Sequence, residues 1–289
     1  MKFKSRHPHY EFLRKKWLGK HRAVSEKLLT THGDTVRHLT LGGLGGLMLL
    51  TTPGMSVLPV THNQVLVDNA HITKLSDSNT ELAQKLDGVL PKEVRKLNQE
   101  EEGNVSKILS ENFNLKTESE IQGIRLNRSY GLIGGEQHLY RYPGDSLNKH
   151  AESATEWAMF GGAGIAPGLG AWGYFTPSEA AFGEKDRLRE KYYIAVQTFL
   201  APGFAENVGR YRDFSKFRKM LLVNPKTGQG VVTVIGDAGP GEWTGKHLGG
   251  SPEVMHELSL AAGPRKGPVL YFFIDDPEDI VQLGPIGPK

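Results

Sequence analysis

The stretch that most constrains this chain is residues 221–250, LLVNPKTGQGVVTVIGDAGPGEWTGKHLGG. Leu221, Leu222 and Val223 form an apolar run that stops at Asn224-Pro225. Lys226-Thr227-Gly228 then supplies turn chemistry, because glycine takes a positive φ freely. Val231, Val232, Thr233, Val234 and Ile235 are β-branched throughout, which suits a strand buried on both faces. The run ends at Gly236-Asp237-Ala238-Gly239-Pro240, where proline cannot continue a ladder. Asp237 is therefore expected at the mouth of a sheet or barrel. An aspartate before Ala-Gly-Pro also has a plain role, accepting backbone N–H bonds within its own turn.

The strand, the Asn224-Pro225-x-x-Gly228 turn, the Val-rich strand and the G-D-x-G-P element together resemble the core of a double-psi β-barrel. The likeness runs to the rare lipoprotein A-like proteins, then to expansins and the barrel of lytic transglycosylases. It extends over roughly the last 110 to 120 residues. Ala171-Trp172-Gly173-Tyr174 looks like the family's opening Ser-Trp-Tyr-Gly, and Tyr193-Ile194-Ala195-Val196 like its Thr-Ala-Ala-His. Residues 252–258 fall on its short helix, and 267–274 on its closing strand.

The resemblance implies a six-stranded barrel from about Ala171 to Ile274 that binds or cleaves cell-wall glycan without a cofactor. It makes Asp237 the candidate acid, protonating a glycosidic oxygen, with Trp243 beside it to desolvate the carboxyl or stack a sugar. Trp172, Tyr174 and His247 would complete the groove. One departure bears on chemistry. Gly249-Gly250 precede Ser251 where the family has the Asp of an Asp-Leu-Ser segment. Two functions stay open: a lytic transglycosylase-like enzyme, and a non-catalytic wall-binding or envelope-organising module.

The net charge of +3 hides an asymmetry. Residues 1–38 hold ten basic against three acidic side chains, so the rest of the chain is mildly acidic. That distribution argues against a nucleic-acid partner. The chain has no cysteine, which removes disulfides, thiolate catalysis and Cys-based zinc sites. Residues 39–60 carry no charged side chain and are long enough to span a bilayer as a helix. With the basic arm in front, the expectation is an uncleaved signal-anchor, N-terminus in and C-terminal domain out. A cleaved signal peptide is the rival reading, and a buried soluble helix the plain one.

The expected organisation is a basic cytoplasmic arm (1–38), a transmembrane helix (39–60), a helical spacer (61–120), a polar-aromatic loop region (121–165), the barrel (166–277) and a flexible tail (278–289). The class is mainly β in the C-terminal half and α+β overall. In the spacer, Asn79-Thr80-Glu81 reads as a helix start. Gln99-Glu100-Glu101-Glu102 reads as a solvated face. Val105, Ile108, Leu109 and Phe113 mark a second amphipathic helix.

Residues 123–145 are dense in recognition chemistry. Glu136, His138 and Tyr142 are candidates to line a glycan cleft, since aromatic faces stack on sugar rings. A structural loop whose charges satisfy one another is the competing reading. His138, Asp145 and His150 show no recognised ligand spacing, so no metal site is expected.

Overall fold

In the computed structural model, which describes residues 69–289 with side chains from residue 77, the central stretch forms the strand pair its pattern implies. Two helices come first, α1 (Asn69–Asp87) and α2 (Gln99–Phe113), followed by short strands β1 (Thr117–Glu118), β2 (Glu120–Ile121) and β3 (Ile124–Arg125). Then come β4 (Tyr130–Gly135), α3 (Ala154–Phe160), α4 (Glu184–Lys191), β5 (Tyr193–Val196) and α5 (Val208–Ser215). The chain continues through β6 (Lys219–Val223), β7 (Gly230–Ala238), β8 (Leu248–Gly250), α6 (Pro252–Glu257), β9 (Lys266–Ile274) and β10 (Gly284–Ile286).

β9, β4, β8, β5, β7 and β6 are neighbours in that order, and β6 pairs back onto β9. The result is a closed six-stranded mixed β-barrel. The pairs β4·β8 and β5·β7 are parallel, and the other four are antiparallel. The pairing has an internal two-fold relation. Exchanging β4, β5 and β6 with β7, β8 and β9 carries the set of six pairs onto itself. The connections match as well, since α5 links β5 to β6 and α6 links β8 to β9.

Alternation along the strands explains why β6, β7 and β9 read as unbroken apolar runs. Met220, Leu222, Val231, Ile235, Val269, Tyr271 and Phe273 join the cluster that draws on all six barrel strands. The residues between them, Leu221, Val223, Val232, Leu270, Phe272 and Ile274, pack instead with Leu82, Leu86, Leu109 and Phe113 of α1 and α2. Side chains on a strand point alternately to opposite faces, so the barrel wall is buried from within and from without. The helices thus cover the barrel. α2 starts at a capping box, in which Asn98 accepts from the Glu101 N–H and the Glu101 carboxylate takes the Asn98 N–H.

Several expectations need correction. The opening barrel strand is β4, in the region read as a loop, whereas 171–174 is not a strand. Its mixed polar flanks hid a six-residue strand that pairs on both sides. α1 runs through Asn79 rather than starting there. Glu102 is not solvated: it is buried, accepts the Ser129 hydroxyl at 2.7 Å and pairs with Arg125. The tail is not free either. β10 pairs antiparallel with β7, and Asp276 and Asp279 lie 2.6 and 2.7 Å from the Lys219 ammonium. The basic arm and the segment 39–60 lie outside the described residues. Among the described residues no helix is long and apolar enough to cross a membrane.

Candidate functional site

The sequence-predicted groove residues occupy the end of the barrel where β7 finishes and β8 begins. Asp237, near the end of β7, accepts the Ala171 N–H at 2.6 Å and the Ala238 N–H at 2.7 Å through one oxygen, Oδ1. Burial raises its pKa, against those two donors. Asp237 therefore clasps the glycine-rich segment to the barrel. Trp172 does the same, donating its indole N–H to the Ile235 carbonyl at 3.0 Å and packing on the core.

His247 accepts the Leu132 N–H on Nδ1 at 2.9 Å, and burial, then Arg128 and Lys266, lower its pKa. Trp243 differs from these in exposure. It sits on a single 3-10 turn between β7 and β8 and is 91% exposed. Tyr174 is also exposed. Asp237 and His247 thus each accept backbone N–H groups, whereas Trp243 is exposed.

Glu136 follows β4 directly and makes an ion pair of 2.6 Å with Lys246. Its carboxyl lies where a side chain at Gly249 would begin: a Cβ there would overlap Glu136 Cγ and Oε1. A carboxylate just beyond β4 therefore covers Gly249 on β8.

The remaining predicted residues follow β4, and their segment lies near Asp237, since Leu139 and Asp237 both pack against Gly170. His138 lies three residues beyond β4, zipped to the glycine-rich segment by its N–H on the Gly164 carbonyl and its carbonyl on the Ala166 N–H. It is 1% exposed, and its Nδ1 is 3.3 Å from Glu190 Oε1. His150 Nδ1 is 3.2 Å from Glu190 Oε2, and its Nε2 is 3.0 Å from Asp145 Oδ2. Arg141 grips Asp145 from Nε, Nη2 and its own backbone N–H at 2.7–3.0 Å. Tyr142 is buried beside this group, donating its hydroxyl to Glu179 at 3.1 Å.

The electrostatics follow from these contacts. Burial opposes the charge on His150, yet its bonds to Asp145 and Glu190 hold its pKa up at about 9. Burial would raise Glu190, but His138 and His150 bring it down to about 2. Asp145 is held well below the usual carboxylate range despite its burial, by His150 and Arg141. Glu253, on α6, shifts the other way: burial, and then the Glu190 charge, outweigh His138 and Lys191 and push it up to about 7.

Sequence reading missed Glu190 and Glu253. Glu190 sits in a segment so charged that it reads as solvent-facing, and only its place three residues before a barrel strand hints at burial. Glu253 follows the Ser251-Pro252 helix start, where an acid is expected for the helix alone. A cavity of about 390 Å³ is lined by His150, Glu190 and Glu253, with Arg187 and Lys191 among its other walls.

No protein-family model matches this chain, and no match was found among curated proteins or among solved structures.

Proposed function

We propose that the barrel is a double-psi β-barrel and that the protein is an envelope protein binding cell-wall glycan, anchored through residues 39–60 with the barrel outside the cytoplasmic membrane. The two-fold relation in strand pairing, with its two interlocked parallel pairs, supports the barrel type. The observation that carries binding is Trp243. A tryptophan held 91% exposed on a one-turn loop, its ring against Gly241, presents to solvent an indole face of the kind a sugar ring stacks on.

Binding is favoured over cleavage at Asp237. One oxygen of that carboxylate already takes two backbone N–H groups, and Gly249 supplies no second acid on β8. In pelleting assays with purified peptidoglycan, Trp243→Ala weakens retention by about 1–3 kcal/mol, while Asp237→Asn leaves it nearly unchanged. Equal pelleting of the folded Trp243→Ala protein and the parent sinks this reading.

A second reading is favoured by one observation, the Glu136 carboxyl seated over Gly249. It makes Glu136, not Asp237, the proton donor of a lytic enzyme. Release of anhydro-sugar products that stops in Glu136→Gln and persists in Asp237→Asn would select it.

A further inference from the structure

We infer that the crevice beyond β4 and β8 is a zinc-type metal site held by His138, His150 and Glu190. This inference is independent of the glycan reading, since that reading rests on Trp243 and none of the three ligands. One donor atom from each of the three side chains lies within 4.8 Å of the other two. The side chains are 1%, 2% and 6% exposed. Zinc bonds of roughly 2.0–2.2 Å in a tetrahedral arrangement set donor atoms about 3.4 Å apart. The two imidazole–carboxylate separations, 3.3 and 3.2 Å, are close to that spacing, each to a different oxygen of Glu190. A cation seated among the three would replace these two hydrogen bonds, and donors now within 4.8 Å would close by up to about 1.4 Å.

A self-sufficient ion-pair network would leave no polar atom over, and this one does. Glu253 Oε2 is buried without a hydrogen-bond partner. Glu253 is close enough to feel the charges of Glu190 and His138, so its free oxygen belongs to the same crevice. Buried polar atoms without partners are uncommon and point to a missing ion or water. The rear of the cluster is also built as metal sites are. The His150 Nε2 faces Asp145, and Asp145 is fixed by Arg141. A carboxylate behind a ligating histidine sets its tautomer and ring orientation.

The donor set selects the metal class. Two imidazoles with a carboxylate suit zinc and its neighbours, whereas magnesium and calcium take oxygen donors. The site has an approach as well, since His150, Glu190 and Glu253 line the cavity of about 390 Å³. Three protein donors and an open side leave a position for water or for an oxygen of a bound anion.

The test uses the full chain, stripped with chelator and then titrated with zinc sulfate. One tightly bound zinc per chain is expected, and cobalt in its place should give the intense visible bands of a tetrahedral site. Seven of the eleven histidines precede residue 77, so assignment needs variants. His138→Gln, His150→Gln and Glu190→Gln should each abolish stoichiometric binding with the fold intact by circular dichroism. Asp145→Asn should weaken it about 10–100-fold. Absence of tight zinc in the unaltered chain overturns the inference, as does full binding in the folded His138→Gln and His150→Gln proteins. Should the variants fail to fold, an anomalous map of the unaltered chain at the zinc edge decides. A peak between His138, His150 and Glu190 supports the site, and no peak there refutes it.

Discussion

Asp276 is the residue through which the C-terminal segment is tied to the barrel, and Asp276→Asn measures that tie. The carboxylate accepts the Lys219 ammonium at 2.6 Å, the Val281 N–H at 3.0 Å and the Ile280 N–H at 3.0 Å. Its side chain is 4% exposed, and that of Lys219 is 12% exposed. An asparagine keeps one acceptor for the Ile280 N–H but turns an amide donor toward Lys219 and the Val281 N–H. Breaking a buried ion pair costs roughly 3–5 kcal/mol. Asp279, 2.7 Å from the same ammonium, still neutralises Lys219, so the expected loss is nearer about 2–3 kcal/mol.

The pH dependence has a definite sign. Burial opposes the Asp276 charge, but Lys219 and the two N–H groups outweigh it, so the folded pKa lies below the ordinary 3.8. Stability from the carboxylate is therefore complete above 3.8 and is lost as pH falls through the lower folded value. Urea unfolding of parent and variant from neutral pH down to strongly acidic pH should give curves that converge only at the acid end. Exchange of the β10 amides should be faster in the variant at neutral pH. A stability difference that is the same at neutral and strongly acidic pH, or one below about 0.5 kcal/mol, refutes the reasoning.

Gly228→Ala should destabilise the protein by more than the roughly 1–2 kcal/mol of left-handed strain. Its φ is +74°, and the new Cβ would overlap the Asn79 carbonyl, a backbone atom of α1 that cannot rotate away; urea unfolding measures the loss. Leu109→Ala, which empties a fully buried position between α2 and the barrel wall, should cost about 2–5 kcal/mol by the same assay. Trp243→Ala should change the melting free energy by no more than about 0.5 kcal/mol, which separates its expected loss of glycan retention from any loss of fold.

The barrel's central hairpin was legible because its signals are local. Val231 to Ile235 are β-branched, Gly228 sits in the turn, and the apolar runs announce burial on both faces before any partner is known. The Val105, Leu109 and Phe113 stripe was legible for the same reason, a helical period with one apolar face. What stayed hidden depends on pairing across the chain. β4 lies among Arg, Asn and Tyr residues, and it becomes a strand because β8 and β9 supply its hydrogen bonds from more than a hundred residues away. The tail carries glycine and proline, and it is ordered because β7 has a free edge there and Lys219 waits for its acids.

The site divides along the same line. Sequence alone named Asp237, Trp243, Glu136 and His138 as polar or aromatic residues beside glycines, where backbone turns leave side chains free to act. It could not say that Asp237 holds two N–H groups or that Glu136 stands over Gly249. Nor could it say that Glu190 turns inward to meet His138 and His150. Spacing along a chain reports chemistry only when the ligands share one helix or one turn. Here the connection from β4 to α3 supplies both imidazoles and α4 supplies the carboxylate, so only the tertiary fold sets their distances.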